Sequence, residues 1–147
     1  MITWVGPADA AFGAVAELFD DYRAHYGEQR AYGATRRWLQ EQAAASGLRI
    51  AAAFADGRPC GFAVALPVPA SLRLRTFWLV RDLYVDPAHR GRGHARALLT
   101  KVLDEAHAAG ALRVSLQTET DNTAAQTLYR SLGFTPTDGY ISLTHPL

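Results

Sequence analysis

Arg90, Gly91, Arg92 and Gly93 stand together just before a run whose apolar residues recur at helical spacing. Glycine is a poor helix former, so two of them at a helix start need another reason. The first backbone N–H groups of a helix have no intrahelical partner, and the aligned peptide dipoles make that end partly positive. An anion docked there satisfies the donors and the dipole together. Gly91 and Gly93 remove side chains that would hold a phosphate off the amides, and they permit dihedrals closed to other residues. Arg90 and Arg92 add charge and forked donors. The chemistry of this spacing is a cradle for a pyrophosphate. The competing reading is a flexible turn with solvated arginines. The strand before the loop, the helix after it and a second motif downstream favour the cradle. It is not a P-loop, since no Gly-Lys-Ser/Thr follows, and "GRGHAR" lacks the third glycine of a dinucleotide fingerprint.

The second motif is "DNTAAQTLYRSLGF". Asn122 and Tyr129 are seven residues apart, about two helical turns, and so share one face. Taken alone, Tyr129 reads as a core aromatic. Thr123 and Gln126 have the spacing of a capping box, a structural role. His25, His89, His94, His107 and His145 have no metal-ligand spacing, and no serine elbow is present. Cys60 is the only cysteine, so no intrachain disulfide can form. It lies in an expected strand and reads as a small buried hydrophobe.

These residues need elements to hold them. "ITWV" reads as a first strand, and Pro7 sits where a first helical turn tolerates it. Phe12, Val15, Phe19 and Tyr22 form one apolar stripe. Their helix should run to about Tyr26 and stop near Gly27, and a second, around 35–46, should end at Gly47. Strands are expected over 48–55 and 60–68, with Asp56–Gly57 as the hairpin turn and Phe62, Val64, Leu66 and Val68 alternating. A long β-prone run, 73–85, leads into the cradle. The helix after it carries Leu98, Leu99, Val102, Leu103 and Ala106 on one face, with Lys101 and Glu105 at pairing distance on the other, and Gly110 ends it. "LRVSLQT" follows with Leu112, Val114 and Leu116 facing in. Then come the Tyr129 helix, stopped by Gly133, and one or two strands in "FTPTDGYISL". The order is a mixed α/β layer, with a parallel strand–helix–strand crossover from about 76 to 117.

A chain of 147 residues is about one domain and can bury a real core. A net charge of +1 makes no case for a nucleic-acid or membrane partner. The start of the chain lacks the basic residues and apolar run of a signal peptide, and no apolar run is long enough to span a bilayer. A cytoplasmic protein is the default expectation.

"LYVDPAHRGRGHARALL" resembles the acetyl-CoA pyrophosphate motif of the GCN5-related N-acetyltransferase (GNAT) superfamily: Arg or Gln, two residues, Gly, one residue, then Gly or Ala. Arg90, Gly93 and Ala95 occupy its defined positions. "DNTAAQTLYRSLGF" is similar to the superfamily's second cofactor motif, about 30 residues downstream. The element order fits as well, so the resemblance covers essentially the whole chain. His94 departs from the small or aliphatic residue common at its position, where the backbone does the binding.

The resemblance implies a single N-acetyltransferase domain over 1–147. Its mixed, mostly antiparallel sheet would contain a parallel β-α-β core for acetyl-CoA, with helices on both faces. It implies acetyl transfer from acetyl-CoA to a primary amine, on a small molecule or a protein, by direct attack. The enzyme then mainly holds two reactants in line. The cofactor would lie on Arg90, Gly91, Arg92, Gly93, His94, Ala95 and Asn122. Backbone groups of Leu83, Tyr84 and Val85 would bind the pantetheine arm and polarise the thioester carbonyl, an effective use of an N–H. Tyr129 would protonate the departing thiolate, as a phenol with a pKa near 10 can. The base stays open among Asp82, Glu119 and a chain of waters, and Asp82 could instead be a buried carboxylate paired with an arginine. "WLVRDLYV" is similar to the strand of spermidine/spermine acetyltransferases, but Arg81 stands where those carry a glutamate, which weakens a polyamine acceptor. The acceptor site is expected between the first two helices and the splayed central strands, with Tyr22, Tyr26 and Tyr140 as candidate walls. Asp20 and Asp21 could attract a cation or form a solvated helix face. Members often dimerise, so a homodimer is open. The competing functions are a non-catalytic CoA-binding sensor and a regulatory domain that uses the loop for another phosphate.

Overall fold

A strand that alternates large and small residues must put different partners on its two faces, and this organises the sheet. The computed structural model describes all of residues 1–147. They form two compact units, Met1–Gln117 and Thr118–Leu147. The first unit holds β1 (Ile2–Val5), α1 (Phe12–His25), α2 (Tyr32–Ala45), β2 (Arg49–Ala55), β3 (Arg58–Ala70), β4 (Arg75–Val85), α3 (His94–Ala108) and β5 (Val114–Leu116). Its sheet runs in chain order, β1-β2-β3-β4-β5. The first three pairings are antiparallel, and β4 pairs parallel with β5 through the α3 crossover. Asp56 and Gly57 make the hairpin turn with φ of 51° and 74°, the left-handed pair that matches strand twist.

On one face Ile50, Ala52, Phe62, Val64 and Tyr84 pack with Phe12, Val15 and Phe19 of α1 and Leu39 of α2. Removing a ring such as Phe62 from that core would cost about 3–5 kcal/mol. On the other, Ala51, Ala53, Ala63 and Ala65 are fully buried, as are Leu98, Leu99 and Val102 of α3. Alanines let α3 sit close: a Cβ at Gly61 would lie 3.4 Å from Leu98 Cδ1 and 3.0 Å from the Tyr84 carbonyl oxygen. Helices therefore cover both faces. No helix is long and apolar enough to cross a membrane.

The helices stop where expected, with Gly27, Gly47 and Gly110 all at positive φ. Four local expectations change. Pro7 lies in a separate turn, closed by Asp9 N–H to the Gly6 carbonyl (3.0 Å), and α1 opens only at Phe12. Glu105 pairs with Arg49 of β2 at 3.4 Å and not with Lys101, because a neighbouring strand competes for it. In the second unit α4 spans Thr123–Ser131, and its cap is Asn122, whose Oδ1 accepts from Ala125 N–H at 3.2 Å. Thr123 is not the cap, and Gln126 donates instead to the carbonyls of Glu119 and Thr120. The segment 134–147 forms no strand, and Tyr140, Ile141 and Leu143 are exposed. Its alternation suits a pleat, but a strand exists only with a hydrogen-bonded neighbour.

Candidate active site

The loop between β4 and α3 has the predicted build. Asp86 caps a 3₁₀ turn, Pro87–His89, by accepting from Ala88 N–H at 2.9 Å. Gly91 and Gly93 follow with φ of 75° and 82°, and a Cβ on either would meet open space. The first hydrogen bond of α3 is Ala97 N–H to the Gly93 carbonyl, with no side-chain cap. The amides of His94 and Ala95 lie ahead of it, without intrahelical acceptors. His89, just before the loop, has a buried Nδ1 with no hydrogen-bond partner. Arg90 is not a free fork: its Nε donates to the Val85 carbonyl at 2.9 Å and its guanidinium lies 5.7 Å from the Tyr84 ring centroid. It ties the loop back to the strand, while Arg92 stays exposed.

β4 outruns its parallel partner. The ladder to β5 covers only Trp78, Leu79 and Val80. Leu83, Tyr84 and Val85 pair with Ala63, Phe62 and Gly61 on one side and have no strand on the other. Where the β5 ladder ends, the β3 ladder slips: Val64 faces Asp82 while Ala65 faces Val80, so Arg81 is an extra residue. Such a bulge re-aims side chains at a strand's functional end.

Asp82 points toward α1. The Tyr22 hydroxyl donates to its Oδ1 at 2.8 Å. Its partner is thus a tyrosine, not the arginine of the structural alternative. Burial pushes the Asp82 carboxyl up, against the opposing pull of the Tyr22 hydrogen bond and the Arg81 charge. Both residues line a cavity of about 560 Å³ bounded by α1, α2 and β4, with Phe19, Trp38, Leu48 and Arg81 also in its wall.

Of the expected walls, Tyr22 is there. Tyr26 is 64% exposed, and Tyr140 belongs to the second unit. Asp20 is neither a cation lure nor a solvated residue: it is 3% exposed. It accepts from Thr35 Oγ1 (2.7 Å), Ala31 N–H (3.0 Å) and Arg23 Nη1 (3.0 Å), locking α1 to α2. Burial pushes its carboxyl up, but those hydrogen bonds and the Arg23 charge outweigh it and hold it below the usual range. Asp21 pairs with Arg30 at the surface. Cys60 is fully buried, and burial pushes its thiol up.

In the second unit, Asn122 spends Oδ1 on its cap, accepting from Ala125 N–H. Tyr129 is half-buried, with its ring 6.0 Å from that of Phe134. Glu119 is exposed, and its carbonyl accepts from Asn122 N–H.

The model of the acetyltransferase (GNAT) family matches residues 14–134. The chain belongs to the GNAT family. This GNAT chain is 30% identical to an uncharacterised N-acetyltransferase, YhfO, of Bacillus subtilis, over 91% of its own length and 89% of the relative's. It is 51% identical to the N-alpha-acetyltransferase RimI of Mycobacterium tuberculosis over 55 residues, 37% of this chain and 33% of that one. The crystal structure of a probable acetyltransferase superposes with a TM-score of 0.91 at 29% identity, covering 100% of this chain and 97% of the other. The GNAT chain is an acyltransferase, and acetyl-CoA is its acyl donor. What sequence reasoning missed is the Asp20 lock, the Trp38 wall and the bulge at Arg81. Only the adjacent charges "RD" inside an apolar strand could have signalled the last.

Proposed function

We propose that the chain transfers an acetyl group from acetyl-CoA to a primary amine by direct attack, with Asp82 as the general base. The observation that carries this is Asp82 itself: a half-buried carboxylate, raised by burial, held by Tyr22 and set in a cavity at the bulge of β4. A base whose pKa is raised toward neutrality is better matched to taking an ammonium proton. The amine nitrogen bonds to the acetyl carbon as the carbon–sulfur bond breaks. Asp82 takes the ammonium proton before attack and passes it to water. The nitrogen loses a second proton as the amide forms, which makes up the one that Tyr129, in the role its motif implies, gives to the thiolate, so one proton is released to solvent overall. The products are an amide and free CoA thiol.

The loop 90–95 is the pyrophosphate site in this reading. Its support is the open space at Gly91 and Gly93, the amides ahead of α3 and the orphaned Nδ1 of His89. The one-sided edge at Leu83, Tyr84 and Val85 is suited to the pantetheine amides. Asn122 and Tyr129 enter through the resemblance of their motif. The family match runs through both units, which supports reading 1–147 as one acetyltransferase domain.

The test is calorimetry with acetyl-CoA, followed by thiol release over a panel of amines, with Asp82→Asn as the variant. Micromolar-range binding and a kcat lowered about 10²–10⁴-fold in the variant are expected. Binding with no transfer to any amine would leave the sensor reading instead.

A further inference from the structure

Arg81 and Asp82 are consecutive, yet both line the same cavity. In a regular strand neighbouring side chains leave opposite faces. The bulge, which gives Arg81 no partner on β3, is what brings a cation and a carboxylate into one pocket.

The two are not equally occupied. Asp82 is held by Tyr22. Arg81 is exposed and has no carboxylate or carbonyl partner, whereas Arg23, Arg30 and Arg49 are each paired with an acid. Arg58 and Arg92 have no acid partner either, but Arg81 lines the cavity, and the planar fork it offers there suits a carboxylate. Arg23, the other cation in the wall, has Nη1 engaged by Asp20, Thr35 and the Gln29 carbonyl. Beyond the charges the wall carries the hydroxyls of Tyr22 and Thr35, which are engaged by Asp82 and Asp20, and is otherwise apolar, with Phe19, Trp38 and Leu48. A cavity of about 560 Å³ is of small-ligand size.

We propose that the acceptor is a free amino acid with an apolar or aromatic side chain, its amine at Asp82, its carboxylate on the Arg81 fork and its side chain against Trp38 and Phe19. This rests on the acetyl-transfer reading above. The step keeps the same balance: the amino nitrogen gains the acetyl group, the C–S bond breaks, and an N-acetyl amino acid and CoA thiol leave. A polyamine would bring a second cation to Arg81, and a peptide N-terminus would bring no carboxylate there.

The experiment measures kcat/KM by thiol release with L-phenylalanine, L-leucine, their amides, phenethylamine, spermidine and a tetrapeptide amide. It uses the full chain, as parent, Arg81→Gln and Arg81→Lys, with acetyl-CoA binding by calorimetry beside it. The parent should prefer the acids to their amides by about 10–100-fold, the worth of a charge-assisted pair. Arg81→Gln should bring that preference within about threefold, mainly through KM. Arg81→Lys should keep part of it, having the charge without the fork. Equal turnover of amides or the tetrapeptide, or a preference that survives Arg81→Gln, overturns the assignment while leaving acetyl transfer standing. Bound acetyl-CoA with transfer to none of these amines overturns this assignment, and failure across the wider amine panel as well overturns the acetyl-transfer reading with it.

Discussion

The Tyr22 hydroxyl lies 2.8 Å from Asp82 Oδ1 and donates to it, joining a helix and a strand sixty residues apart. That bond lowers a carboxyl that burial raises. Tyr22→Phe should therefore raise the Asp82 pKa further. A base acts only when deprotonated, so the acidic limb of the kcat/KM profile should move to higher pH. Stability should fall by about 1 kcal/mol, the net worth of one such bond. A pH–rate profile checks it, and a limb that stays in place would show that Tyr22 does not tune the base.

Asp20 gives the opposite pH dependence. Its folded pKa lies below the usual value, so its contribution is complete above the unfolded pKa and is lost as pH falls through the folded one. Asp20→Asn should cost about 1–3 kcal/mol near neutral pH, because Thr35, the Ala31 amide and Arg23 lose a charged acceptor while Arg23 stays partly in solvent. The variant's melting temperature should also depend less on pH in the acid range. Thermal melts of parent and variant across that range decide it. Equal slopes would mean that Asp20 is not the acid-sensitive lock.

Gly93→Val places a side chain where Gly93 has open space and φ of 82°. The left-handed backbone should cost about 1–2 kcal/mol in stability. Gly110→Val, with φ of 73° and open space away from the loop, carries the same strain and serves as the control. Calorimetry should find acetyl-CoA binding weakened at least tenfold in the first and unchanged in the second. Normal binding by Gly93→Val would mean that the cradle is elsewhere.

Tyr129→Phe deletes one hydroxyl and keeps the ring that meets Phe134. If Tyr129 is the acid, kcat should drop about 10²–10⁴-fold, with little change in acetyl-CoA affinity. If it is a core aromatic, transfer survives. Steady-state thiol release with a titration of acetyl-CoA separates the two, and a kcat within threefold of the parent removes Tyr129 from the mechanism.

The build of the loop between β4 and α3 was legible in the sequence because everything that makes it is contiguous: a β-prone run, two glycines with their arginines, and an apolar-striped helix. The same holds for the Asp56–Gly57 hairpin and the helix stops at Gly27, Gly47 and Gly110, where one residue's backbone freedom decides the outcome. Alternation in 60–68 likewise assigned Phe62 and Val64 to one face before any partner was known. Tertiary structure alone decided the rest. The bulge at Arg81 is a one-residue slip in hydrogen bonding that leaves composition and β propensity unchanged. The Tyr22–Asp82 bond depends on how α1 lies across β4. Asp20 reads as a surface acid in its helix and is buried because α2 brings Thr35 and the Ala31 amide to it. The segment 134–147 has a strand's pattern and no strand, because pattern belongs to a segment and pairing belongs to two.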